Sequence, residues 1–251
     1  MDLKNLLGLK KPDIKKMEME HDIEGLTKLL KFENDESVRR EAAFSIGKIT
    51  GPNTDSKTKI EDSEISESEP SVEDLIDSLK DDNLNVQKNS AMALVDIGEP
   101  AVKPLIKSLE TKKWRARWYA VEILGEIGDK AAVDPLIKLL QDENNGVRSN
   151  SIIALVLIGK ASVKPLIKAL KDGNWQVRWN AAEALGELGD KTAARALIKT
   201  LNDENFLVKK TAAASLGNIG DENAVEPLKN LLNDEDIEVS TAALRALNKI
   251  S

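Results

Sequence analysis

The sequence predicts an all-α fold, a right-handed α-solenoid of about seven stacked helical hairpins. The first observation is a repeat: residues 163–190 (VKPLIKALKDGNWQVRWNAAEALGELGD) closely resemble residues 102–129, which lie 61 positions earlier. The second is composition, because 31% charged and only 3% aromatic residues disfavour a sandwich or a barrel. Each hairpin exposes an apolar face that only a neighbouring hairpin can cover, so the units should stack in a row.

Each repeat is predicted to be a pair of helices joined by a tight turn. In the unit at 163–190, Pro165 falls in the first turn of the first helix, where its missing N–H is tolerated. Asp172, Gly173 and Asn174 supply the turn, and Gly189 ends the second helix. The predicted buried side of the second helix carries Val177, Ala181, Ala184, Leu185 and Leu188.

The spacing of the repeats divides the chain. The second helices are predicted to begin, at intervals of 30 or 31 residues, at Val86, Ala116, Val147, Val177, Val208 and Val239. The first helices are predicted to begin at Pro104, Pro135, Pro165 and Pro227, with Ala196 in place of proline once. We therefore expect a lead or capping helix at 1–21, a degenerate first repeat at 22–50, an acidic Ser/Glu-rich insert at 51–70, and six contiguous repeats at 71–251 with a C-terminal cap.

Composition also limits the classes of function. The formal net charge is −7, and a general nucleic-acid binder would carry a basic excess instead. The absence of cysteine excludes disulfides, thiolate metal sites and cysteine nucleophiles, and it favours a reducing compartment. No apolar run approaches the roughly 20 residues of a membrane span, and the first residues lack the features of a signal peptide. We expect a cytoplasmic protein.

The repeat motif resembles a known family. The PLI start, the aspartate in the turn, the Val-Arg pair that opens the second helix and the A-A-x-A-L-G-x-[IL]-G-D ending are similar to HEAT repeats. They look most like the short prokaryotic variety found in phycobilisome lyase subunits. The resemblance covers residues 22–250 apart from the insert, and it implies that the second helices line the concave side of a solenoid.

The resemblance also implies a ladder of polar side chains between adjacent turns. In that family an aspartate and an arginine six residues later form it. The sequence matches this pattern at Asp142/Arg148 and Asp172/Arg178, and conservatively at Asp203/Lys209 and Glu33/Arg39. It departs from the pattern at Asp81/Gln87, Thr111/Arg117 and Asp234/Ser240, so we expect an interrupted ladder. Its role would be structural, since the carboxylate can accept from amides at a helix start.

No catalytic constellation is present in the sequence. The single histidine, His21, has no second imidazole with which to form a metal site or a triad. Some HEAT-repeat hydroxylases bind two irons through paired His-Glu motifs, and the sequence contains no such pair. The glycines end hairpins and do not form a phosphate-binding loop. We therefore predict a protein that is not an enzyme and uses no cofactor or metal.

The tryptophans indicate a binding surface. All four occur in two matching units, as Trp114 with Trp118 and Trp175 with Trp179, and Glu122 or Glu183 follows four residues further on. Positions four apart share one helix face, which differs here from the predicted buried side. The sequence therefore predicts a concave groove that binds a peptide or protein partner. Its predicted residues are Trp114, Trp118, Trp175, Trp179, Glu122, Glu183, Arg117, Arg178, Met92, Ile153 and Val156.

Other interpretations remain open at this stage. Trp114 and Trp175 fall beside the turn and could simply cover a neighbouring hairpin. Duplication of a 61-residue unit would also copy tryptophans without selection for binding. One alternative function is a subunit that attaches or removes a linear tetrapyrrole. Another is a nucleic-acid-binding protein similar to HEAT-like DNA glycosylases, in which phosphates would contact Arg40, Lys88, Arg115, Arg117, Arg178 and Lys210.

Overall fold

A computed structural model describes residues 13–32, 36–50 and 71–250 of the 251-residue chain. Within these ranges the chain forms α-helices and short 3-10 turns and contains no β-strand, which confirms the predicted all-α fold. The residues predicted as the insert, 51–70, and residues 1–12 of the predicted lead lie outside the described residues. None of the described helices combines the length and the apolar character that a membrane span requires.

The described residues divide into two compact units, one that ends at Ser108 and one that begins at Leu109. In the first unit α1 packs on α2 and α3, and α3 packs closely on α5. Gly47 permits this approach, since a Cβ there would lie 2.9 Å from the Cα of Ala93. The helices of this unit are α1 (Ile14–Met19), α2 (Ile23–Phe32), α3 (Glu36–Thr50), α4 (Ser71–Ser78), α5 (Leu84–Ile97) and α6 (Glu99–Ser108).

The second unit alternates short first helices with second helices of 14 residues. Successive second helices pack side by side, and each first helix packs on the second helix that follows it. The predicted stacking of hairpins is therefore present in this unit. Its helices are α7 (Trp114–Ile127), α8 (Val133–Lys138), α9 (Asn145–Ile158), α10 (Lys160–Ala169), α11 (Trp175–Leu188), α12 (Ala194–Thr200), α13 (Phe206–Ile219), α14 (Val225–Asn230) and α15 (Ile237–Ile250).

The second helices begin two residues earlier than predicted, because an asparagine caps most of them. Asn144 accepts hydrogen bonds from the amides of Gly146 and Val147, and Asn174 accepts one from Gln176. Each such cap satisfies an amide that has no partner within its helix. The turn aspartate lies two residues earlier and accepts from the amide of the cap residue, as Asp172 does from Asn174. The cap is therefore the asparagine, and the aspartate supports it.

The first helices also begin before the predicted prolines. Pro104 and Pro165 lie inside α6 and α10, which begin five residues earlier, directly after a glycine. In the other repeats of the second unit a Gly-Asp pair precedes the first helix, and the aspartate caps a 3-10 turn before the helix, as Asp129 does. An aspartate after the glycine thus selects a 3-10 start, and Glu99 or Lys160 in its place gives an immediate α-helix.

Glycines set the distance between second helices in the second unit. A Cβ on Gly125 would lie 2.7 Å from the Cα of Ala154, and one on Gly217 would lie 2.7 Å from the Cα of Ala246. These helix pairs can pack closely only because the glycine has no side chain. Val156 takes the equivalent position on α9, and α9 packs less closely on α11. The row of second helices therefore contains one wider interface.

Candidate protein-binding surface

Two arginines join consecutive turns of the second unit. Arg117 on α7 donates from Nε and Nη2 to both carboxylate oxygens of Asp142, each at 2.8 Å, and from Nη1 to the carbonyl of Thr111 at 2.8 Å. Arg178 on α11 repeats this arrangement with Asp203, at 2.7 and 2.9 Å, and with the carbonyl of Asp172 at 2.9 Å. Each arginine thus binds its own turn through a carbonyl and the next turn through a carboxylate.

A lysine continues the same ladder at the end of the unit. Lys209 on α13 donates to Asp234 at 2.6 Å. Hydrogen bonds from Lys209 and from the amide of Asp236 lower the pKa of the Asp234 carboxyl. For Asp203, burial alone would raise the pKa, but the bonds from Arg178 and from the amide of Asn205 outweigh burial and lower it.

Within the second unit, two of the three predicted departures contain a residue that takes part in the ladder. Arg117 and Asp234, predicted as departures, both form ion pairs with neighbouring turns. The break lies at Arg148, which donates to the carbonyl of Asp142 at 2.6 Å and forms no ion pair with the exposed Asp172. The expected spacing of six residues joins the arginine to a backbone carbonyl, which any residue can supply, as Thr111 does. The ion-pair partner lies 25 residues downstream of the cation.

The ladder changes the interpretation of two predicted binding residues. The side chains of Arg117 and Arg178 are buried, and their donors are taken up by Asp142 and Asp203. A guanidinium held in this way cannot turn toward a partner without leaving a buried carboxylate unpaired. Both residues therefore stabilise the stack, and a direct contact of either one with a partner stays a prediction.

The remaining predicted residues of the second unit, except Val156, lie along one side of the second helices. We call this surface the second-helix face. On α7 and α11 it repeats two tryptophans followed by two glutamates at intervals of four residues, whereas α9 places two polar and two aliphatic residues at the equivalent positions. The face consists of Trp114, Trp118, Glu122 and Glu126 on α7, of Asn145, Ser149, Ile153 and Leu157 on α9, and of Trp175, Trp179, Glu183 and Glu187 on α11.

The four tryptophans are held in different ways. Trp114 is 41% exposed, and the guanidinium of Arg115 lies 5.0 Å from its ring. Trp118 is half-buried and makes an edge contact with the ring of Tyr119 at 5.1 Å. Trp175 and Trp179 are half-buried and stack on each other at 6.1 Å. Each pair thus combines packing against its own helix with surface that remains open to solvent.

The centre of the face is apolar and exposed. Ile153 and Leu157 are 55% and 59% exposed, although both are large aliphatic residues. Leu157 reaches toward α7, where a Cβ on Gly125 would lie 3.5 Å from its Cδ1. Val156 is half-buried. Met92, predicted to belong to the same groove, is 55% exposed in the first unit.

A cleft between α11 and α13 adjoins the face. It has a volume of about 320 Å³, with Trp179, Glu183 and Glu187 on one wall and Leu207 and Ala214 on the other. Burial raises the pKa of the Glu183 carboxyl above its ordinary value, and the negative charge of Glu187 raises it further. Within the described part of the chain neither carboxylate has an ion-pair partner. The cleft therefore combines an aromatic wall with uncompensated negative charge.

Some residues of this face are missing from the sequence prediction. Glu126, Leu157 and Glu187 extend the series of four by one more turn, and the pattern that relates Trp118 to Glu122 would have found them. The described residues contain no cluster of three or more side chains suited to a metal ion. His21 is exposed in the turn between α1 and α2.

The family model for HEAT repeats matches residues 23–114, 102–166 and 163–248 of this chain. No curated protein matches the sequence. Among solved structures, importin beta has 17% identity and a TM-score of 0.55, with 96% of this chain and 37% of that chain covered. The CpcE–CpcF complex of phycocyanin lyase from Nostoc sp. PCC7120 has 25% identity and a TM-score of 0.41, covering 91% and 93% of the two chains. A computationally designed armadillo repeat protein for modular peptide recognition has 20% identity and a TM-score of 0.40, covering 72% and 100%.

Proposed function

We propose that this protein, which belongs to the HEAT-repeat family, is a non-catalytic scaffold whose second-helix face binds a peptide or protein segment. The observation that carries the proposal is the exposed aliphatic pair Ile153 and Leu157, placed between two helices that each present a tryptophan pair. A contiguous apolar patch that the fold leaves uncovered commonly marks an interaction site.

The composition of the face is that of an interface centre. Aromatic residues are enriched at such centres, and a few of them commonly dominate the binding energy. Trp118 and Trp179 are already held by neighbouring rings, so they would lose little side-chain entropy when a partner binds. We expect both to act as anchors, with Ile153 and Leu157 covering the space between them.

The same features support a role in binding more than one in catalysis. Among the described residues no histidine lies on the second-helix face, and no metal-binding cluster is present. The arginines that could have acted as donors are held by the ladder. The partner is proposed to be a protein, because four of the twelve residues of the face are glutamates and none of the twelve is basic.

The test is a charge placed at the centre of the face. We expect Ile153→Glu to weaken binding of the partner, purified with the wild-type protein from source cells, by about thirtyfold, or roughly 2 kcal/mol. Leu244→Glu is the matched control, because Leu244 lies elsewhere, on α15, and is 51% exposed. Affinity is measured by calorimetry, and thermal unfolding shows that both variants fold.

Three outcomes would contradict the proposal. Equal affinity of Ile153→Glu and wild type would place the site elsewhere. Equal loss in both variants would indicate a general effect of added charge. Binding of a linear tetrapyrrole, detected as a change in its absorption and unaffected by Ile153→Glu, would favour the lyase-type alternative.

A further inference from the structure

The second-helix face has an ordered distribution of charge. Its central helix, α9, presents Ile153 and Leu157, whereas α7 on one side and α11 on the other each present two glutamates at the equivalent positions. Across the three helices the surface therefore alternates acidic, apolar and acidic. The tryptophan pairs lie one turn away from the glutamates on the same two outer helices.

The acidic position on α11 is not neutralised by the fold. Lys210 lines the same cleft, but its Nζ is bound to Glu238 at 2.6 Å. Glu183 and Glu187 lie one turn apart and have no ion-pair partner among the described residues. Like charges at this spacing repel each other, so the pair slightly destabilises the folded state. Binding of a cation between the two carboxylates would reduce this repulsion.

The cleft suits a long cationic side chain. Trp179 and Ala214 offer apolar surface for an alkyl stem, and the carboxylates of Glu183 and Glu187 lie further along the same wall. Lysine and arginine bury their stems on such surfaces while the charged group remains near water. Aromatic faces add an attraction for the cation itself.

On the basis of the proposed function, we propose that the partner is an extended segment in which two basic residues flank an apolar one. One basic side chain enters the cleft beside Trp179 and pairs with Glu183 and Glu187. The apolar side chain covers Ile153 and Leu157, and the second basic residue meets the exposed Glu126 on α7.

The spacing of the helices sets the spacing of the motif. Neighbouring helices pack about 8–10 Å apart, so α7 and α11 lie about 16–20 Å apart with α9 between them. An extended chain advances about 3.3 Å per residue. The two basic residues should therefore be about six positions apart, with the apolar residue midway between them.

The test uses fluorescent peptides in a host sequence rich in serine and proline, which favours an extended chain. One peptide carries two lysines six positions apart with leucine midway. Companion peptides replace both lysines by glutamate or by serine, or place them three positions apart. Fluorescence anisotropy with the full chain is expected to give the tightest binding for the first peptide and about tenfold weaker binding for each companion.

Paired variants of the protein identify the acidic site. Glu183→Gln/Glu187→Gln should weaken binding of the dilysine peptide about tenfold. Glu222→Gln/Glu235→Gln removes the same charge from exposed positions elsewhere in the unit and should change binding less than twofold. Added salt should weaken binding to the wild type more than to the first variant.

The possible failures are distinguishable from failure of the proposed function. No binding of the dilysine peptide, or equal losses in the two glutamine variants, would overturn the basic motif. The basic motif would also be overturned if the serine and lysine peptides bound equally well to the wild type and both lost binding to Ile153→Glu. That result would support a purely apolar partner on the same face. Dilysine binding that is unaffected by Ile153→Glu would overturn the central apolar contact.

Discussion

The close approach of α7 and α9 gives a quantitative prediction for Gly125→Ala. The added Cβ would lie 2.7 Å from the Cα of Ala154 and 2.8 Å from its Cβ, so no side-chain rotation can relieve the overlap. Overpacking of this kind costs about 1–3 kcal/mol. Alanine recovers up to about 1 kcal/mol through its higher helix propensity. Taking the middle of the overpacking range, about 2 kcal/mol, we expect a net destabilisation of about 1–2 kcal/mol.

Thermal and urea unfolding of the full chain measure this effect. A loss of about 1–2 kcal/mol corresponds to a melting temperature lower by roughly 3–6 °C in a unit of this size. Gly173→Ala is the matched control, because a Cβ there meets nothing within 4 Å and its backbone does not require glycine. Stability of Gly125→Ala equal to or above that of wild type would refute the close packing of α7 and α9.

Four further predictions concern the ladder and the face. Arg178→Met should destabilise the protein by about 3 kcal/mol, because Asp203 would remain buried without its cation. Arg148→Met should cost less than about 1 kcal/mol, because Arg148 binds only its own turn. Comparable losses of unfolding free energy for the two variants, measured by urea unfolding, would contradict the interrupted ladder. The lowered pKa values of Asp203 and Asp234 mean that both carboxylates stabilise the fold above the ordinary aspartate pKa, and that this stabilisation is lost as the pH falls through the folded-state pKa values. The free energy of unfolding should therefore fall less with decreasing pH in Arg178→Met than in wild type. Identical pH profiles of the two proteins would count against this linkage. The raised pKa of Glu183 means that ionisation of this carboxyl destabilises the fold as the pH rises. Glu183→Gln should therefore be at least as stable as wild type at pH 7. A clearly lower melting temperature of the variant would show a structural role for the carboxylate. Trp118→Ala and Trp179→Ala should each weaken partner binding about thirtyfold in calorimetry with a smaller loss of stability; unfolding of both would assign the tryptophans to the fold.

The hairpin pattern could be predicted because its signals are local. The 30- or 31-residue spacing and the terminal glycines place every second helix of the second unit to within two residues. The starts of the first helices are predicted less accurately, because they depend on the residue that follows the glycine. An aspartate there caps a 3-10 turn that precedes the helix. A glutamate or a lysine there instead begins the α-helix directly. This distinction is readable in the sequence once its physical cause is known.

The ladder and the face could be predicted only in part because they depend on neighbouring repeats. The family pattern gives Arg117 no partner, because Thr111 replaces the aspartate six residues earlier. In the structure Thr111 accepts a hydrogen bond through its backbone carbonyl, and Asp142 of the next turn provides the carboxylate of the ion pair. The wide interface between α9 and α11 occurs where Val156 takes the position that a glycine has in α7, α11 and α13. The apolar periodicity of one helix does not predict how closely the next helix packs against it. The series of four on each second helix, by contrast, is a local pattern and includes Leu157 and Glu187.

Hydrogen exchange of the full chain with and without its purified partner tests the central claim most directly. The account predicts slower exchange on binding in peptides from α7, α9 and α11, including those that contain Trp118, Ile153 and Trp179, and unchanged exchange in the first helices α8, α10 and α12. Slower exchange confined to α8, α10 and α12, or to the first unit, would contradict the assignment of the second-helix face as the binding site.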